Sequence, residues 1–297
     1  MRCRSVPCAS RGRTRTRPNT LTLLIVLVGT AACARPVAVS RYALSAREVT
    51  ARLPRATSAL AESCRRAQSY RLRRTGPPWY EEDSTRAACA GRDSALREVL
   101  RANRALANYF GALSALAGSK TAEVGARVDQ LGDAASSAGP FDGSQVRAIG
   151  ALAKFAASRA TSGYQRSKLR EAIASENVNV QTITVAIHQV IDRDFASYVA
   201  GDDAAATRFY RSVLTEGAGH EPLAAIIARN DYDARHEASG AQADALRSLA
   251  RAIDAIGRGH QQLFDARNHL GAKELLNGIV GMARELDGAM ARIDKAF

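Results

Sequence analysis

Along most of the chain apolar residues recur every three or four positions, the spacing that gathers them on one face of a helix. The first stripe joins Leu53, Leu60, Cys64 and Ala67; Ser45 and Glu48 stand ahead of it at capping-box spacing, and Pro54 marks a kink or a true helix start. A second stripe runs through Cys89, Leu96, Val99, Leu106, Phe110 and Leu113 to about Ala117. A weaker one carries Val124, Val128 and Leu131 and stops at Ala138-Gly139-Pro140. Asp142 and Gln145 have capping-box spacing before the next helix, which holds Val146, Ile149, Leu152, Phe155, Leu169 and Ile173.

Residues 178–191 are rich in β-branched side chains, which favour strands. Strict alternation fails there, because Val178 and Val180 are out of phase with Ile183, Val185 and Ile187. Ile183, Ile187, Ile191, Phe195 and Tyr198 keep helical spacing instead, and the helix is expected to reach Leu214 across Gly201. A turn from Gly217 to Pro222 separates it from a very long pattern. That pattern runs through Leu223, Ile226, Ile227, Ala234, Ala241, Ala245, Leu249, Ile253, Ile256, Leu263 and Leu270. Asn268 to Gly271 interrupts it before a last stripe, Leu275, Ile279, Met282, Leu286, Met290 and Ile293.

Alanine contributes 59 of the 297 residues and aromatics only 5%. Alanine is the best helix former, since its side chain loses no entropy in a helix. Long helices with narrow stripes predict an all-α fold, an elongated antiparallel helical bundle with coiled-coil-like packing. There is no repeat of fixed period.

The N-terminus reads differently. Six arginines and no acid lie in residues 1–32, and Leu21 to Val28 form a short apolar run followed by Gly29-Thr30-Ala31-Ala32-Cys33. The run is too short to cross about 30 Å of hydrocarbon and matches the h-region of a secretory signal. The segment resembles the signal of bacterial lipoproteins, whose lipobox is Leu-Ala/Ser-Gly/Ala-Cys. Thr30-Ala31-Ala32-Cys33 fits the last three positions and departs at the first; ordinary cleavage after an Ala-x-Ala-like site is the alternative. The resemblance covers about 33 residues. It implies that residues 1–32 are removed and that Cys33 is lipidated, carrying two or three acyl chains that anchor it permanently. Ala34 in place of Asp leans toward the outer membrane where one exists. Residues 33–43 are then expected to be a lipidated tether without helical periodicity, 44–117 a disulfide-closed helical hairpin, and 118–297 a long-helix bundle.

With Cys3 and Cys8 lost and Cys33 lipidated, Cys64 and Cys89 remain. Their midpoint is the Gly76–Pro77 junction, the one strong helix breaker between them. Residues equidistant from the turn of a helical hairpin face each other, and small neighbours permit the close approach a bridge requires. A disulfide is expected in an export compartment, with two buried free thiols as the alternative.

The net charge of +13 falls to +7 without the signal. Residues 33–120 hold 16 basic and 7 acidic groups, against 10 and 11 in each of 121–220 and 221–297. Arg65, Arg66, Arg71, Arg73 and Arg74 form the densest cluster, either a solvated helix face or a candidate surface for anionic lipid or cell-wall polymer. Nucleic acid is not expected as a partner of an exported protein. No metal site is expected. Asp233-Ala-Arg-His236 approaches the di-iron spacing with Asp for Glu, and His188, His220 and His269 each have an acid one turn away, which reads as solvated pairs. Gly118-Ser119-Lys120-Thr121 lacks the first glycine of a phosphate loop, and no serine-hydrolase elbow or zinc-protease helix occurs. The pattern therefore points to no enzyme and no cofactor. It favours an envelope protein that binds protein partners through its helix faces while held to a membrane by lipid.

Overall fold

A computed structural model describes residues 35–72, 78–118, 139–159, 166–217, 220–270 and 273–297, and within them the chain is all-α. The helices are α1 (Arg35–Thr50), α2 (Leu53–Leu72), α3 (Pro78–Leu116), α4 (Gly143–Arg159), α5 (Arg166–Gln189), α6 (Ala196–Gly217), α7 (Pro222–Asp265) and α8 (Lys273–Ala296). The helix expected over 119–138 lies outside the described residues, as do Cys33, Arg73 and Arg74.

The first hairpin keeps one register throughout. Ser40 faces Ser114, Asn103 donates to the carbonyl of Thr50, and Cys64 is bonded to Cys89 with Cα atoms 6.1 Å apart. All three pairs are centred on residues 76–77, so α1 and α2 act as one broken rod antiparallel to α3. The break falls at Ala51 and Arg52, just before Pro54, whose ring cannot accept a helical neighbour in the preceding turn. The 39 residues of α3 make a rod about 58 Å long.

The second hairpin pairs α5 and α6 with the 44 residues of α7, about 66 Å. Asn177 meets His260, Gln181 meets Gly257, Asp203 meets His236 and Thr207 meets Tyr232. Those pairs centre on residues 218–220, the turn anticipated before Pro222, which takes the first helical position. Between α5 and α6 a π turn spans Val190–Phe195, with Ala196 N–H reaching back to the carbonyl of Ile191. The extra residue turns the second stripe so that Ile191 and Phe195 stay buried. α8 folds back along α7 and α1, with Asp287 accepting from Ser45 and Asp294 from Arg52. At the start of α4, Asp142 Oδ1 accepts from the amides of Ser144 and Gln145, while Gln145 Oε1 accepts from Asp142 N–H. That is the capping box read from the sequence. The helix expected to run from Val146 to Ile173 is two helices, with residues 160–165 between them outside the description.

Two expectations change. Residues 35–43 are no tether: they open α1, and Val39, Tyr42 and Ala43 are fully buried. Nor is the hairpin of 44–117 separate from the rest. Leu60, Leu106 and Phe110 share one hydrophobic core with Ile149, Ile173, Ile253 and Leu286. Each fully buried Leu or Ile contributes roughly 1.5–3 kcal/mol through its removal from water. Alanines such as Ala46, Ala102, Ala105 and Ala252 sit in the same core and let neighbouring rods approach closely.

The bundle therefore has two ends. One, here called proximal, holds the start of α1, the end of α3, the start of α5 and the α7–α8 turn. The other, distal, holds the end of α2, the start of α3, the end of α6 and the start of α7.

Candidate interaction surfaces

Of the arginines singled out in the sequence, Arg65, Arg66 and Arg71 stand toward the distal end. Arg71 lies 36 residues beyond Arg35, about 54 Å along the α1–α2 rod. Arg65 pairs with Asp93 at 3.6 Å and Arg66 with Glu62 at 2.9 Å; both guanidinium groups are substantially exposed. Arg71 is exposed. Exposed pairs of this kind contribute little and leave the cations open to solvent and to ligands.

Beside Arg66 a cleft of about 390 Å³ opens between α2 and α7, floored by α6. At its lower edge Arg92 holds Asp202 in a bidentate pair, 2.6 and 3.1 Å, and Ser63 Oγ donates to the same carboxylate at 2.8 Å. Arg92 also lies over the ring of Tyr198, 4.2 Å from its centroid. At the upper edge Tyr70 packs on Phe209 and Tyr210, and the Tyr210 hydroxyl donates to Asp231. Burial, and then that carboxylate, push the Tyr210 hydroxyl upward, while the same hydrogen bond holds Asp231 below the ordinary carboxylate range. Arg235 donates to both groups at 3.1 Å. Each acid in the cleft is thus matched by a cation or hydroxyl of the chain itself. Ser63 donates to a carboxylate that is already engaged by both terminal guanidinium nitrogens of Arg92.

The histidine that sequence patterns passed over lies in the centre of the core. His260 is fully buried; Tyr109 O–H donates to its Nε2 at 2.6 Å, and its Nδ1–H donates to Asn177 Oδ1 at 2.9 Å. Burial lowers its pKa to about 3, so the imidazole is neutral. Its Nδ1–H tautomer follows from the acceptor it faces. Asn177 in turn donates to Gln261 Oε1. The network joins α3, α5 and α7 at one level. A flanking signal did exist in the sequence: Gly257 and Gly259 within a helix mark close approaches, here of Thr184 and Tyr42.

Two of the other histidines have partners other than the acids one turn away. His236 pairs with Asp203 of α6 at 3.0 Å, not with Asp233, and His188 Nδ1–H donates to the carbonyl of Ala250. Among the described residues no three His, Cys, Asp or Glu side chains converge as a metal site would require. No described helix is long and apolar enough to cross a membrane.

The largest departure is at the start of α7. Leu223, Ile226 and Ile227, expected on a core stripe, are 71, 58 and 61% exposed. From Pro222 to Asp244 no residue of α7 is buried; Ala225, Ala228, Tyr232, Arg235 and Ser239 are half-buried at the period of a two-helix seam. The start of α7 therefore carries, next to the cleft, an apolar tip that no described residue covers. Nothing in the local pattern distinguishes a stripe that meets a partner helix from one that does not. No family model, curated protein or solved structure matches the chain.

Proposed function

We propose that the chain is a lipid-anchored protein of the bacterial cell envelope whose bundle serves as a non-enzymatic interaction module. The observation that carries the module reading is the uncovered apolar tip. Single exposed apolar residues are ordinary on any protein, but three at i, i+3 and i+4 on one helix end form a contiguous patch. A partner's apolar surface, a helix face above all, matches such a stripe. The anchor reading rests on the basic and apolar N-terminal regions and on Thr30-Ala31-Ala32-Cys33. Ala34 favours the outer membrane, periplasmic side.

The test is site-specific photocross-linking in intact envelope. A photoreactive residue in place of Ile226 should capture one protein at a discrete mass. The same residue in place of exposed Lys295 should capture none. The complex should survive high salt, because apolar contacts are not screened. Capture of nothing at Ile226, or equal capture at both positions, would contradict the module reading.

A further inference from the structure

We propose that the proximal end of the bundle is a basic surface that rests on anionic lipid headgroups. The hydrogen bonds of His260 to Tyr109 and Asn177 put three helices at one level, from which the end can be measured. Leu116 and Arg267 lie seven residues further on, about 10 Å, and Lys168 lies nine residues back along α5, about 13 Å. Ser40 opposite Ser114 brings the start of α1 to the same end.

At this end Arg41, Arg170 and Lys273 are exposed and Lys168 is half-exposed. None of the four has an ion-pair partner among the described residues. Arg267 stacks over Phe264, 4.2 Å from the ring centroid, and donates to that residue's carbonyl. Against these five cations stand Glu171 and Asp265 among the described side chains.

The choice of a lipid surface follows from the position of Cys33 next to α1, and so rests on the anchor reading. Cys33 precedes α1 by two residues, at most about 7 Å of extended chain. Arg41 is six residues into α1, about 9 Å further. A free tether through residue 43 would have let the charges drift about 35 Å away, several screening lengths of about 8–10 Å. Instead α1 keeps Arg41 within about 16 Å of Cys33, at most about two screening lengths. A helix starting at Arg35 holds the proximal end within reach of the headgroups. Each cation near an anionic surface strengthens attachment about fivefold. The distal arginines, about 54 Å along the rod, do not share that field when the bundle stands on this end.

The test uses the full lipidated protein on vesicles of phosphatidylcholine alone or with about a third phosphatidylglycerol. Acetylation rates of Lys168 and Lys273 are read by mass spectrometry relative to Lys295 of the same molecules. The ratio should fall at least fivefold on the anionic vesicles and recover in molar salt. A protein bound to both vesicles with an unchanged ratio would overturn the inference and leave the anchor standing. A protein that binds neither would overturn both.

Discussion

The hydroxyl of Tyr109 donates to Nε2 of His260 across 2.6 Å, inside a core that solvent does not reach. A histidine kept neutral there ties stability to pH. Its folded pKa is about 3 against an ordinary 6.5, so the unfolded chain binds the proton first. The contribution is complete above pH 6.5 and is lost as pH falls toward 3. The slope is about 1.4 kcal/mol per pH unit for one such group. Urea titrations across this range should show that acid limb, and His260→Gln should flatten it. A His260 proton resonance that titrates with an ordinary midpoint would contradict the assignment.

Two glycines of α7 should respond in opposite directions to the same change. A Cβ on Gly259 would stand 2.5 Å from Cε2 of Tyr42, a ring held in place by its own hydroxyl donating to the Ile256 carbonyl. Gly259→Ala should cost about 1–3 kcal/mol through overpacking. Nothing lies within 4 Å of such an atom on Gly240, where alanine should stabilise by about 0.4–1 kcal/mol. Thermal melts of the two variants check this pair directly.

The bridge between Cys64 and Cys89 closes 25 residues, which removes about 3.5 kcal/mol of loop-closure entropy from the unfolded chain. Reduction should lower the urea midpoint correspondingly, and the oxidised protein should be about 2 Da lighter with one cysteine-linked peptide. Two thiols that alkylate freely in unreduced, denatured protein would exclude the bridge.

At the apolar tip, Ile226→Ser and Ile227→Ser should each change stability by no more than about 0.5 kcal/mol, since neither side chain is packed. Leu249→Ala, on the buried half of the same helix, should cost about 2–5 kcal/mol. Equal losses at both ends of α7 would mean that the tip is covered within the folded chain.

The fold class, the long rods, the capping box at Asp142 and the hairpin register were legible because each depends on nearby residues. Gly76-Pro77 and two equidistant cysteines suffice to set a register. α1 was not legible because its buried face is partly polar: Ser40 is buried against Ser114, Ser45 against Asp287, and Thr50 Oγ1 donates to the carbonyl of Arg47. Hydroxyls satisfied within the core blur an apolar stripe that Val39, Tyr42, Ala46 and Val49 would otherwise announce. The tip of α7 misled in the reverse sense, since its stripe has the right period and no covering helix among the described residues. His260 escaped notice because its partners come from α3 and α5, distant in the sequence.

Central to the proposed function is that Cys33 would carry lipid and set the body close to a membrane. Labelled palmitate offered to cells producing the protein measures this most directly. The wild type should incorporate label and partition into detergent, and Cys33→Ser should lose both properties. Equal labelling of the two proteins, or none in either, would contradict the account.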